Sequence, residues 1–432
     1  MRPLLRRGVA GRLVLGLGDA AVASIGNLGV SILAARSTSL HEFGVFATTM
    51  LILILATLLS RAAHGDVLVL RSAGDREDVV TDLRYSLASV VSITSVVGGV
   101  IATAGLVLLP LGVDPGLALT VVVAGAALPL LCVQDHLRWI EYARGAPSRA
   151  LVNNLIWTVA SIVLFLIAQG VGDGPLPAAV CVLLWVGGAV PAVVFAGVRG
   201  RISLRFSRSE WLRSHRGLAG NLVLDFSLTQ ATAQAATLVV AALAGPLEMA
   251  FIRKGQIWLG PATVAITGLL AALQPLLARR TATHGNRSTV RLAAGVGLAA
   301  GAGLLAYGGL VVWLPETLAE AVVGPGWADV RPYLWPLAVQ AAAGMLGGCL
   351  GLALRTTGQI GAQVRWRLFL APVSLGIVTL VTAVAGGRAG MWALAGGGLL
   401  TTAAWALLLR RGGSVPVPLA ADASGGGGGG HE

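Results

Sequence analysis

The chain has 432 residues, 56% of them hydrophobic and only 12% charged, with a mean hydropathy of +0.81. This composition excludes a soluble globular domain. A formal charge of +12 would point to nucleic acid in a soluble chain, but no basic helix with interleaved aromatics stands free of the apolar segments, so no nucleic-acid partner is expected.

In chain order, twelve apolar stretches long enough to cross a bilayer fall near 13–34, 43–62, 87–111, 115–136, 150–169, 175–198, 218–243, 256–277, 291–314, 332–353, 368–386 and 389–409. Taking the N-terminus as inside, the inner segments hold 26 of the 31 Lys and Arg residues and the outer ones hold five. Basic residues accumulate in short cytoplasmic loops, so both termini are expected in the cytoplasm. The arginines spread over seven inner segments, where they would meet anionic lipid headgroups. Most of the 59 glycines lie inside apolar segments, where they permit close helix approach and bending. Trp139, Trp313, Trp335, Trp366, Trp392 and Trp405 fall near span ends, as an aromatic belt would place them. Cys132, Cys181 and Cys349 lie in apolar segments without CxxC spacing and read as packing residues. Four early arginines before Ala21-Val22-Ala23 resemble a signal peptide, but the apolar run is short and broken by Asp19, so cleavage is not expected.

The links are too short to bury a core: the longest inner one runs Arg199–Gly217 and the longest outer one Pro315–Arg331. The single lysine, Lys254, is not in a GxxxxGK pattern, and no HExxH, nucleophile elbow or paired-carboxylate motif occurs in a link. The chain therefore reads as a non-enzyme without metal or cofactor. Any energy would come from ion gradients, from the cargo's own gradient or from another protein.

The chain is also internally paired. Asp19 and Asp225 are 206 residues apart, as are Glu42 and Glu248, and this offset lays the first span on the seventh. Six spans per half is an even number, so the halves would be parallel repeats about an axis along the membrane normal. The expected fold is an all-α integral membrane protein of about twelve transmembrane helices, in two six-helix lobes around a central cavity. Its parts would be a cytoplasmic N-terminus (1–12), an N-lobe (13–198), a basic cytoplasmic inter-lobe loop (199–217), a C-lobe (218–409) and a disordered cytoplasmic tail (410–432).

Several stretches in order carry a resemblance. They are Leu40-His-Glu-Phe-Gly-Val-Phe, Gln134-Asp-His-Leu-Arg-Trp-Ile-Glu-Tyr-Ala-Arg-Gly and Ala150-Leu-Val-Asn-Asn-Leu-Ile-Trp in the first half. In the second half they are Ala244-Gly-Pro-Leu-Glu, Ile252-Arg-Lys-Gly-Gln, Leu259-Gly-Pro, Gln274-Pro-Leu-Leu-Ala-Arg, Val323-Gly-Pro-Gly-Trp and Leu354-Arg-Thr-Thr-Gly-Gln. The chain resembles the bacterial polysaccharide biosynthesis membrane proteins, the Wzx-type flippases of the multidrug/oligosaccharidyl-lipid/polysaccharide export superfamily. The resemblance implies a two-lobed transporter in the bacterial cytoplasmic membrane. Its cargo would be a polyprenyl-diphosphate-linked glycan, and its partners membrane lipids, with a polysaccharide polymerase and other assembly proteins as further partners. A cation-coupled multidrug-type exporter of the same superfamily and an integral-membrane polysaccharide polymerase or ligase are the alternatives.

A diphosphate headgroup needs cations. Arg253 and Lys254 break the inside-positive pattern at the outer edge of the eighth span, and they read either as diphosphate ligands or as snorkelling interface anchors. Asp19 and Asp225 are the acids well inside spans, where a charge costs roughly 2.5–3.5 kcal/mol at mid-bilayer. They read either as cavity and cation-coupling groups or as helix-pairing groups. Asp225, Thr229 and Thr232 share a helical face, and Asn27, Gln230 and Gln234 are further polar candidates for a sugar-lined cavity. Asn153 and Asn154 read chiefly as interface residues. Asp135, His136 and Arg138 read as an inner-surface cluster in which Asp135 offsets Arg138. The six arginines from Arg199 to Arg216 read as headgroup contacts.

Overall fold

The structure, a computed structural model, describes residues 2–72, 79–172, 174–200 and 210–411. Its regular elements are helical throughout. The first half contains α1 (Arg2–Ser37), α2 (Leu40–Ser60), a π-helical turn (Arg61–Gly65), α3 (Asp66–Ser72), α4 (Val79–Leu108), α5 (Pro115–Ala143), α6 (Pro147–Val171), α7 (Ala178–Gly187) and α8 (Ala189–Gly200). After the link come α9 (Glu210–Ser214), α10 (Arg216–Phe226), a second π turn (Ser227–Ala231), α11 (Thr232–Ala244), α12 (Pro246–Val312), α13 (Glu316–Val323), α14 (Trp327–Thr356) and α15 (Ile360–Arg411).

Ten of the described stretches are long and apolar enough to cross a membrane. The α15 stretch doubles back at Gly386 (φ 82°), and the continuous run α10–π turn–α11 supplies one more crossing, which reaches the twelve that hydropathy predicts. The α12 stretch likewise folds back at Gly285 (φ 76°), where Thr281 Oγ1 meets Thr289 Oγ1 at 3.0 Å across the hairpin. Only glycine adopts such φ values without strain, so these two positions make two-span hairpins possible. Gly390 packs so closely on Thr382 that an added Cβ would lie 2.1 Å from its hydroxyl.

Helices α1–α8 pack mainly on one another and α11–α15 on one another, which gives two lobes. The internal pairing seen in the sequence has a structural counterpart. Glu42, at the start of α2, accepts from the Ala178 amide at the start of α7 at 2.6 Å. Glu248, at the start of α12, lies against Gly387, just past the fold of α15. In each lobe, then, a glutamate at the start of one span lies by the N-terminus of another, where a helix dipole favours a carboxylate; Glu42 is bonded to its amide, and Glu248 has Oε2 buried and unbonded.

The lobes meet at both ends. At one end, called the roof here, α2 and α11–α12 cross so tightly that a Cβ on Gly44 would lie 1.7 Å from the Pro246 carbonyl oxygen. There α1 also packs on α12 and α13, and Arg36 Nη1 donates to the Ala321 carbonyl at 2.6 Å. At the other, the link end, α10 packs on the first π turn and α3, and α9 packs on α4. One belt residue departs from the expectation: Trp405 is 1% exposed and lies beneath the Arg367 guanidinium, 5.6 Å from its ring centre. It faces α14 rather than lipid, because the second half of α15 packs on that helix. Residues 201–209 and 412–432, with most of the basic loop and the tail, lie outside the described residues.

Candidate functional site

Arg253 lies two turns into α12, beneath the roof. Gly245 (φ 93°) and Pro246 start the helix, and Gly260 lets it approach Leu28 of α1 closely. Arg253 Nη2 donates to Ser31 Oγ at 2.8 Å and lies 3.6 Å from the Met50 sulfur, while Nη1 reaches Gln256 Oε1 at 3.3 Å. The guanidinium thus bridges the lobes. Its Nε is buried without a partner, and among the described residues no carboxylate pairs with it.

Lys254 has a different setting. It is 1% exposed, and Nζ donates to the Pro325 carbonyl at 2.7 Å. Glu320 Oε1 holds the same turn by accepting from the Gly326 and Trp327 amides at 2.7 and 3.0 Å. Burial at this depth is incompatible with a snorkelling anchor, and the ammonium is committed to the turn between α13 and α14. The adjacent cations therefore serve different partners, because one helical residue points the second side chain to a different neighbour, the turn between α13 and α14.

Asn27 joins the Arg253 site through α1. Ser31, which accepts from Arg253, donates to the Asn27 carbonyl at 2.7 Å. The Asn27 side chain lines a small cavity in the N-lobe with Gly26, Asn154, Trp157, Ser161 and Trp185. The one-residue break at Gly188, between α7 and α8, shapes its wall: the Trp185 carbonyl accepts from Ser161 Oγ at 2.9 Å and Trp157 Nε1 at 3.0 Å.

Beyond the cavity lies a buried charge network. Asn154 Nδ2 donates to Asp19 Oδ1 at 2.9 Å. Asp19 Oδ2 accepts from Arg138 Nη2 at 2.5 Å and from the Tyr142 hydroxyl at 2.8 Å. Arg138 Nη1 continues to Asp135 Oδ1 at 3.1 Å. Asp135 is also gripped in a bidentate fork by Arg61, with Nε–Oδ2 at 3.0 Å and Nη2–Oδ1 at 2.6 Å. Arg61 stands over Trp139, 5.3 Å from its ring centre. Two carboxylates and two guanidiniums make the network neutral, which is how ions are tolerated at this depth. The Asp135–Arg138 pairing matches the sequence reading, but both side chains are buried and the cluster reaches α1 and the first π turn. Arg61 was missed as a partner; the polar run Ser60-Arg61-Ala62-Ala63-His64 at a span end was its signal. Asn153 and Asn154 both make interhelical bonds, Asn153 by donating to the Ala192 carbonyl at 2.7 Å.

Asp225 and Thr232 of the seventh span do not share the regular helical face expected of them. The second π turn inserts an extra residue between Asp225 and Thr232, so the register assumed for a regular α-helix is lost. Thr232 Oγ1 donates to the Ser227 carbonyl at 3.0 Å, within that turn. Gln230 is exposed and Gln234 half-buried, while the side chain of Thr229 lies outside the described residues. Asp225 is exposed on α10 and interacts electrostatically with Arg367 of α15.

The architecture is found in solved structures. One titled "Lipid II flippase MurJ, inward closed conformation" superposes with a TM-score of 0.70 at 9% identity, covering 92% of this chain and 87% of that one. The fold is that of this flippase and of the MATE transporters. An inward-facing multidrug resistance MATE family transporter of the MOP superfamily gives 0.67 at 16% identity, over 91% of this chain and 97% of its own. A MOP superfamily transporter from Pyrococcus furiosus, whose title reports reverse polarity of the binding pocket, gives 0.61 at 16% identity, over 93% and 94%. No protein-family model and no curated protein sequence matches the chain.

Proposed function

We propose that this multi-pass membrane protein is a transporter that flips a polyprenyl-diphosphate-linked oligosaccharide across the cytoplasmic membrane for surface polysaccharide assembly, with its two lobes giving access to each leaflet in turn. The observation that carries the reading is Arg253, a half-buried guanidinium between the lobes whose Nε is buried without a partner and which lacks an acidic partner among the described residues. A cation partly withdrawn from water without a counter-ion is costly, and a diphosphate is the kind of group that would offset the cost. The flippase fold of a lipid II transporter supports the same class of cargo. In this reading Asn27, Gln230 and Gln234 offer hydrogen bonds to sugar hydroxyls, and Lys254 braces the roof above them.

The exporter alternative needs Asp19 or Asp225 to take up and release a cation. The Asp19 carboxylate already accepts from Arg138, Tyr142 and Asn154, which disfavours it as an ion site and leaves Asp225 as that reading's candidate.

The test is a deletion in the native host, scored for surface polysaccharide and for the leaflet that holds its polyprenyl-linked precursor. Loss of polymer with precursor on the inner leaflet, reproduced by Arg253→Gln, is the expected result. Unpolymerised precursor on the outer leaflet would indicate a polymerase. Normal polymer with raised sensitivity to lipophilic cations would indicate an exporter.

A further inference from the structure

At the link end, Trp211 of the short helix α9 belongs in sequence to the segment that leads into the second lobe, yet it is buried in the first. It is 3% exposed and stacks on His64 of the first π turn, with ring centres 5.4 Å apart and planes inclined by 15°. Val67 of α3 and Ala219 of α10 complete the apolar seat, with Leu212 and Leu222 packed around it. A second hold lies beside it: Arg71, at the end of α3, contacts the His215 ring nitrogen and pairs with Asp82 of α4 at 3.4 Å. His215 also stands 4.7 Å from Trp211, so both holds act on the joint between α9 and α10.

The seat itself is rigid. His64 Nδ1 donates to the Ser60 carbonyl at 3.1 Å and Nε2 meets Ser89 Oγ at 3.1 Å, and Arg61 in the same turn is forked to Asp135. The docked residue is held less completely. The indole Nε1 of Trp211 is buried without a hydrogen-bond partner, a cost borne by the docked state alone, since water would satisfy the group on withdrawal.

We infer that α9 is a latch: Trp211 docked on His64, with His215 held by Arg71, fastens the first turns of α10 to the N-lobe and keeps the lobes together at the link end. Releasing it frees α10 to leave the π turn and α3, the other contacts that join the lobes there apart from α9 on α4. A firm seat with one unsatisfied group suits a contact that must hold and let go. The inference concerns how the lobes part and is independent of what Arg253 binds.

The test is a distance measurement between lobes in the full chain, purified in detergent. The background carries Cys132→Ala, Cys181→Ala and Cys349→Ala, with spin labels at Arg84→Cys on α4 and Arg355→Cys on α14, both exposed. Trp211→Ala is expected to raise the population of longer distances at least fivefold. Trp211→Phe, which keeps the stack and drops the unpaired N–H, should leave the short distance dominant. Trp313→Ala at the roof should change nothing. An unchanged distribution in folded Trp211→Ala protein overturns the latch. Should that variant fail to fold, Arg71→Ala decides: it leaves the apolar seat intact, should shift the distribution in the same direction, and overturns the inference if it does not.

Discussion

Arg138 of α5 and Asp19 of α1 meet at 2.5 Å inside the N-lobe, and the same guanidinium reaches Asp135 at 3.1 Å, so one side chain ties the first span to the rest of the network. Breaking a buried pair by removing one partner leaves a charge uncompensated and costs about 3–5 kcal/mol. Asp19→Asn and Arg138→Gln are each expected to lose about that much, and the double variant less than their sum. Reversible unfolding in denaturing detergent measures this; strict additivity would show that the two side chains do not interact.

Arg253 has the opposite expectation. Its guanidinium is half-buried without an acid and its Nε is buried without a partner, so Arg253→Met should raise the unfolding midpoint of the purified protein even as it abolishes polymer export. A fall in the midpoint would mean that the guanidinium serves to hold the lobes together and not to receive an anion.

Two glycines in apolar helices should behave differently. Gly44→Ala would push the Cβ to within 1.7 Å of the Pro246 carbonyl oxygen, whereas nothing lies within 4 Å of a Cβ on Gly99. The first should separate α2 from α12 and lower the unfolding midpoint by several degrees. The second should stay within about 1 kcal/mol of the parent, since alanine favours a helix by roughly that amount.

Thr232→Val keeps the shape of the side chain and removes the bond to the Ser227 carbonyl that spans the second π turn. A loss of about 1 kcal/mol is expected, with faster amide exchange confined to 227–231. Exchange unchanged in that segment would assign the turn to packing alone.

The number of spans was legible because a bilayer demands long apolar runs, and the sequence marks them with basic links. The pairing of Glu42 with Glu248 was legible as a spacing, and both side chains lie beside helix N-termini, Glu42 with a hydrogen bond to the Ala178 amide. The π turns Arg61–Gly65 and Ser227–Ala231 were not, since an extra residue inside a continuous helix needs no cap, glycine or proline to mark it in the sequence. The error with the Asp225–Thr232 stripe follows from that. Nor could the spacing separate Arg253 from Lys254, or show that Arg61 would turn inward to Asp135, because those choices depend on which helix lies opposite.

The charged groups of the two lobes also differ in what an electric field can do to them. Asp19, Arg138, Asp135 and Arg61 sum to zero, so a transmembrane voltage does no net work when they move together. Arg253 and Lys254 are two positive charges on α12 with no salt bridge among the described residues, and carrying one charge fully across 100 mV is worth about 2.3 kcal/mol. A step that shifts α12 along the membrane normal is therefore voltage-sensitive, and one that carries the N-lobe network as a unit is not.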